Sequence, residues 1–395
     1  MKVAARNAID AMRRVDPEAS FLVRFWDGDE IVVGDGAPQF TLWMKTREAL
    51  QRTFGDGFLG FGECYMAGDI EIEGDAQLLF KLGHQMGFGD ISLSLKEKLR
   101  FAAAVLLNRN TRRYAPKNVT FHYNLGNDFF ELFLDPTMTY TCAYFRTPDD
   151  TLEQAQRNKY EHVCRKLVLR EGDHLADLGC GWGGMLIYAA QNYGITGVGV
   201  TLSQPQVEYA NRRIAELGLQ DRIEVRLSDY RDLDGSFDKV ASIGMLEHVG
   251  KGFIGTCVQK IHDLLKPGGV ALLHAISNDT PFPDDPWTMK YLFPGTHVPV
   301  LSHMIEEIST RQLSVLDVEN LRQHYGRTID FWAESYERNY DKVRDKFGDS
   351  FARCYRLYWI VTSTSFKYGG NRLFQIVFSR GLNNDLPWTR AHIYR

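Results

Sequence analysis

Asp177-Leu178-Gly179-Cys180-Gly181-Trp182-Gly183-Gly184 closes an apolar run that begins at His174, so a strand feeds straight into a glycine-dense turn that opens a helix. Glycine permits the positive φ angles of such a turn, and the missing Cβ atoms let main-chain N–H groups come close to a ligand. Asp177, Gly179, Gly181 and Gly183 are therefore candidate ligand contacts. A strand followed by G-x-G-x-G-G suits a dinucleotide, a nucleotide or S-adenosylmethionine, and a purely structural tight turn reads the same way. The rest of the chain has to choose among them.

From Asp173 onward strand and helix patterns alternate, which predicts a Rossmann-like α/β domain: a doubly wound, mostly parallel seven-stranded sheet with helices on both faces. Strands are read at 174–178, 197–201, 223–226, 237–243 and 270–274, the last after a helix ended by Lys266-Pro267-Gly268-Gly269, with two more near 313–318 and 372–378. Ligands of such sheets bind beyond the carboxyl ends of the strands, where the crossover direction reverses. A nicotinamide dinucleotide there calls for an acid at the end of the second strand to hold its ribose. This chain has Thr201-Leu202-Ser203-Gln204-Pro205-Gln206 instead, leaving Thr201, Ser203, Gln204 and Gln206 as hydroxyl and amide partners for a ribose. After the third strand, Asp229-Tyr230 offers an adenine a carboxylate and an aromatic ring, although a solvated surface acid is the plain alternative.

Length and composition set the outer limits. With 395 residues and 44% hydrophobic content, the chain has room for two domains with their own cores. No apolar run approaches the length of a spanning helix and no charged-then-apolar leader opens the chain, so a cytoplasmic protein is expected. Its six cysteines are scattered without C-x-x-C or zinc-ligand spacing, which argues against a disulfide framework and against a metal site. A formal net charge of −4 gives no global attraction to nucleic acid or anionic lipid. The charge is uneven, however: between Lys96 and Lys117 seven basic residues face one acid, Glu97, and flank the apolar run Phe101 to Leu107. Such a segment suits an anionic membrane surface, and equally a linker helix packed between domains. Upstream of it, 23–26, 30–33 and 70–73 read as strands, 45–54 as a helix, and the glycine-rich 57–69 as loop. The expected organisation is a small α+β accessory domain (1–95), a basic helical linker (96–120) and a catalytic domain (121–395).

The glycine turn, Thr201-Leu202-Ser203-Gln204 and Glu247-His248-Val249-Gly250 together closely resemble the cyclopropane fatty acid synthase family of S-adenosylmethionine-dependent methyltransferases. The upstream stretch His122-Tyr123-Asn124-Leu125-Gly126-Asn127-Asp128-Phe129-Phe130, with Leu134-Asp135-Pro136 and Tyr140-Thr141-Cys142-Ala143-Tyr144-Phe145, is similar to that family's opening motif and is more specific than any glycine loop. The closing strand Gln375-Ile376-Val377-Phe378-Ser379-Arg380-Gly381 fits as well, so the resemblance covers about 120–381. Gly60-Phe61-Gly62-Glu63-Cys64-Tyr65-Met66 looks like the bacterial branch that acts on phospholipids and carries an N-terminal domain. The resemblance implies methyl transfer from S-adenosylmethionine to the double bond of an unsaturated phospholipid acyl chain. The resulting carbocation would close to a cyclopropane once a bound bicarbonate removes a proton.

By the same resemblance, Tyr140 and Thr141 join the cofactor contacts. The bicarbonate would be held by backbone groups of Cys142 and Ile276 and by the side chains of Glu247, His274 and Tyr325. Taken alone, Glu247 also reads as a helix-capping acid, His274 as a hydrogen-bonded core histidine and Tyr325 as a packed aromatic. Thr362 stands where the family commonly has a cysteine, which leaves open a methyl-branched or methylene-bearing product. A small-molecule N-methyltransferase and a non-catalytic lipid-binding protein are the more distant alternatives. The aromatic-rich insertion at about 281–339, with Trp287, Tyr291, Phe293, Phe331 and Trp332, is expected to roof an acyl-chain tunnel or to be ordinary core. The resemblance further suggests a homodimer, peripherally bound at the inner face of the membrane.

Overall fold

In the computed structural model, which describes residues 2–87, 110–112, 114–123 and 125–394, the chain divides into two compact units. The described residues within 1–107, 285–292 and 329–370 form one unit; those within 108–284, 293–328 and 371–395 form the other. Most of the basic segment, 96–109, and Asn124 of the opening motif lie outside the described residues, while Ala115–Tyr123 is a helix. Among the described residues no helix is long and apolar enough to cross a membrane.

The first unit is built on a four-stranded sheet of β1 (Phe21–Phe25), β2 (Glu30–Val33), β3 (Phe40–Met44) and β4 (Ile70–Gly74), in the order β2-β1-β3-β4. β1 and β3 run parallel and the outer pairs antiparallel. The sequence does not announce β3, nor the helices Lys2–Val15 and Ala76–Gln85. The stretch 57–69, expected as loop, is instead the helix Gly57–Ala67, ended by Gly68 in the left-handed conformation. Its glycines are there for close approach: a Cβ on Gly60 would run into the carbonyl of Arg52, and one on Gly62 would lie 2.5 Å from Trp287 Nε1. The long helix Asp349–Tyr368 belongs to the same unit and carries the buried Arg353. That guanidinium donates to Tyr65 O (2.5 Å) and Ile70 O (2.8 Å) and forks onto the Glu71 carboxylate at 3.1 Å.

The second unit holds β5 (His174–Leu178), β6 (Thr196–Thr201), β7 (Ile223–Leu227), β8 (Phe237–Ile243), β9 (Leu265–Asn278), β10 (Leu313–Asn320) and β11 (Asn371–Arg380) in one sheet of order β10-β11-β9-β8-β5-β6-β7. β5 to β9 are mutually parallel, and β11 is inserted antiparallel between β9 and β10. All seven expected strands are present. The fifth begins earlier than its apolar run, because Leu265 already pairs with Phe237 and the Lys266–Gly269 stretch is absorbed as an irregularity. Successive residues feed opposite faces, as strand geometry requires. Ala176, Leu178, Val240 and Leu273 pack with the helices Ile254–Leu264 and Leu301–Ser309, while Leu175, Ala241, Ile243 and Leu272 pack with Leu152–Lys166, Gly184–Tyr193 and Gln204–Glu216. The chain leaves β5 toward β6 and β7, then returns to β8 on the other side. The crevice for a ligand therefore opens at the carboxyl ends of β5 and β8.

Candidate active site

The turn after β5 is pinned by the N–H groups of Gly179 and Cys180, which both donate to Val200 O at 2.9 and 3.0 Å. Gly179 has φ +78°, and a Cβ there would lie 2.7 Å from Met245 on the turn after β8. A Cβ on Gly184 would collide with the Tyr160 hydroxyl. The two loops at the switch point thus approach as closely as their backbones allow. Between them lies a cavity of about 140 Å³.

Of the residues expected from sequence at a cofactor, Tyr140, Thr141, Asp177, Gly179, Gly181, Thr201, Gln206, Asp229 and Tyr230 line this cavity. Gly183, Ser203 and Gln204 do not. Gly183 caps the helix Gly184–Tyr193, Ser203 is buried, and Gln204 points outward to donate to Glu208 at 2.8 Å, since the start of its helix turns it to the surface. The Asp229 carboxylate is already forked by Arg231, through Nε (2.8 Å) and Nη2 (2.6 Å). Burial alone would raise its pKa, but these bonds outweigh burial and hold it below the ordinary carboxylate value. Asp177 is the opposite case. Burial pushes it up to about 7 against the pull of Lys159, and among the described residues its Oδ1 has no hydrogen-bond partner. An unsatisfied carboxylate oxygen in the wall of a cavity calls for a donor from a guest. The glycine cradle and this acceptor fit the amino-acid end of S-adenosylmethionine, and Asp229 and Tyr230, on the same cavity, could hold its adenine.

A second cluster occupies the carboxyl ends of β8 and β9. Glu247, 5% exposed on the short turn Leu246–His248, accepts from the Ile276 N–H through Oε1 at 3.0 Å, while Oε2 has no partner among the described residues. Burial pushes its carboxyl up to about 7, although the Ile276 N–H pulls the other way. On β9 His274 is 1% exposed. The Gln375 amide donates to its Nδ1 at 3.1 Å, which leaves Nε2 as the protonated nitrogen, and Nε2 has no partner either. Burial holds this imidazole neutral, its pKa far below the ordinary value. His274 and Ile276 are two apart on one strand and so face the same side. The Gly244 N–H donates to His274 O at 2.8 Å, and a Cβ on Gly244 would sit 2.7 Å from the Thr141 methyl. The cluster therefore adjoins the cofactor cavity.

Cys142 is fully buried; its thiol donates to Ala143 O (3.2 Å) and lies 3.9 Å from Leu321 O. Ala143 N–H donates to Thr328 Oγ1 at 3.0 Å, tying this segment to the helix Arg322–Arg338 that carries Tyr325. Thr362 is half-buried on Asp349–Tyr368, in the other unit. Lys159 and Arg231 both line the cavity and were not signalled by sequence; a lone lysine inside a helix has no pattern to mark it, although Arg231 at two residues from Asp229 could have been found.

A family profile described as "Mycolic acid cyclopropane synthetase" matches residues 110–376, and one described as a domain of unknown function matches 11–86. The "Probable fatty acid methyltransferase" of Pseudomonas putida is 34% identical over 388 residues, covering 94% of this chain and 96% of that protein. The cyclopropane-fatty-acyl-phospholipid synthase of Escherichia coli (strain K12) is 35% identical over 361 residues, 91% of this chain and 93% of its own length. Among solved structures, the mycolic acid cyclopropane synthase CmaA1 complexed with SAH and CTAB aligns with TM-score 0.64 at 31% identity, over 67% of this chain and 98% of that one.

Proposed function

Since the chain belongs to the mycolic acid cyclopropane synthetase family and is an S-adenosylmethionine-dependent methyltransferase, we propose that it methylates the double bond of an unsaturated acyl chain in a membrane phospholipid and closes the product to a cyclopropane. The observation that carries this reading is the pair of unsatisfied buried groups beside the cofactor cavity, Glu247 Oε2 and His274 Nε2. Ring closure gives them a role, because it must lose a proton in a dry pocket.

Bicarbonate, when bound, supplies the base for that proton. The residues present fit it: His274 Nε2–H could donate to an oxyanion, and Glu247, its carboxyl raised to about 7 by burial, could share a proton with an anion instead of repelling it. Cys142, Ile276 and Tyr325 complete the proposed cradle. Ile276 spends its N–H on Glu247, so in this reading it acts by orienting that carboxylate. On the cofactor side Tyr140, Thr141, Asp177, Thr201, Gln206, Asp229 and Tyr230 would bind and align S-adenosylmethionine. The N-terminal unit is taken as the accessory domain for a peripheral membrane protein, with the basic segment at the lipid surface, the 281–339 insertion over the acyl chain, and a homodimer as its assembly.

The test is to incubate the purified protein with S-adenosylmethionine and vesicles of unsaturated phosphatidylethanolamine or phosphatidylglycerol, and to look for a gain of one CH₂ per acyl chain by mass spectrometry. No gain on any unsaturated lipid would sink the proposal. A second reading, a methyl-branched or methylene product, is favoured by Thr362 and by the fatty acid methyltransferase relative. NMR of the product separates ring from branch, and Thr362→Cys should shift their ratio toward the ring.

A further inference from the structure

Lys159 sits in the middle of the helix Leu152–Lys166, whose start is capped by the Thr151 side chain accepting from Gln154 N. It is 1% exposed and lines the cofactor cavity. A buried ammonium is costly to leave without a counter-charge, and natural proteins nearly always pair it. Lys166, two helical turns along the same face, follows the rule, with Glu319 at 2.6 Å and Asp317 at 3.4 Å. Lys159 does not. Among the described residues no carboxylate lies within 4.0 Å of its Nζ; Asp135 and Asp177 act on it only from beyond contact, and Nζ donates to Thr141 Oγ1 at 3.0 Å. An ammonium has hydrogens to give and no lone pair to receive with. Thr141 Oγ1 is therefore bound as an acceptor, which leaves its own hydrogen to be given to another group. Asp177, on the same cavity wall, has the complementary deficit: a buried Oδ1 lacking a donor.

One stretch of wall thus holds a cation without an anion, a hydroxyl with a hydrogen to give, and a carboxyl oxygen without a donor. We infer that Lys159 is a positioning residue for the amino-acid tail of the cofactor: it draws the α-carboxylate in and, through Thr141, fixes the hydroxyl that holds it, while Asp177 takes the α-ammonium. This rests on the cofactor placement proposed above. It adds a residue from the helix Leu152–Lys166, outside both loops of the switch point, as the source of the charge that selects a zwitterionic tail.

Two ligands that differ only in the carboxylate test this: S-adenosylhomocysteine and its decarboxylated analogue, titrated calorimetrically into the full-length protein. The wild type should prefer the acid by about thirtyfold, the scale of a charge-assisted hydrogen bond. Lys159→Met should bind both alike, losing affinity for the acid and keeping it for the amine, and Lys159→Arg should recover part of the preference. A merely structural lysine would lower both affinities together. If Lys159→Met does not fold, the wild-type comparison and Lys159→Arg still decide, since a wild type without preference for the acid overturns the inference. A Lys159→Met protein that keeps the preference overturns it too. Binding of neither ligand to the wild type overturns the cofactor placement itself, and the inference with it.

Discussion

Replacing Glu247 by glutamine should make the protein slower and, above neutral pH, more stable. The glutamine carbonyl can still accept the Ile276 N–H, so the turn after β8 keeps its anchor. What is lost is the group that can share a proton, and turnover should fall about a hundredfold or more, the scale of an acid–base element, with little change in affinity for S-adenosylhomocysteine. The stability term follows from burial. The carboxyl titrates at about 7 against an ordinary 4.5, a difference of about 3 kcal/mol at 1.36 kcal/mol per pH unit. Because the folded-state value is the higher one, this stability is present in full below pH 4.5 and is lost as the pH climbs through 7, where the fold must bury a charge that the unfolded chain hydrates. Glutamine carries no charge to bury. In bicarbonate-free buffer, urea unfolding should therefore show Glu247→Gln matching the wild type near pH 4.5 and exceeding it by up to about 3 kcal/mol at pH 8. A pH-independent difference, or a wild type that stays the more stable at pH 8, would refute the reasoning about burial; unchanged turnover would move the acid–base group elsewhere.

Asp229→Asn should weaken S-adenosylhomocysteine binding by about tenfold to a hundredfold, because Arg231 loses its fork and the adenine loses a charged acceptor; calorimetry reads this directly. Gly184→Ala forces a methyl into the Tyr160 hydroxyl and should cost about 1–3 kcal/mol in chemical unfolding, together with most cofactor affinity. Arg353→Met strips the buried guanidinium from Tyr65, Ile70 and Glu71 and should destabilise by about 3–5 kcal/mol, the scale of a broken buried ion pair, as measured by the unfolding midpoint.

Much of the second unit is legible in the sequence because its determinants are local. Segments such as 237–243 stay strands when buried on both faces, and a turn with φ +78° at residue 179 needs the glycine the sequence shows there. The misreadings share a different cause, partners far away in the chain. The glycines of 57–67 look like loop residues until Trp287 is placed against Gly62. Lys159 looks like a solvated helix residue until Thr141 is beneath it; Gln204 is the local exception, turned outward by the start of its own helix to Glu208. Thr362 could be aligned with a family position, but its neighbours belong to the first unit, which recruits 285–292 and 329–370 from far downstream. No periodicity in the sequence marks those recruitments.

That recruitment bears on how the chain is made. The carbonyls of Tyr65 and Ile70 and the carboxylate of Glu71 emerge from the ribosome long before Arg353, which lies 282 residues beyond Glu71. At the usual 5–20 residues per second the delay is roughly 15–55 s. For that interval the N-terminal sheet has no guanidinium to tie it down, and the Trp287 indole that covers Gly62 follows that glycine by 225 residues (287 − 62). The N-terminal unit can therefore complete its fold only once a nearly full-length chain has left the ribosome.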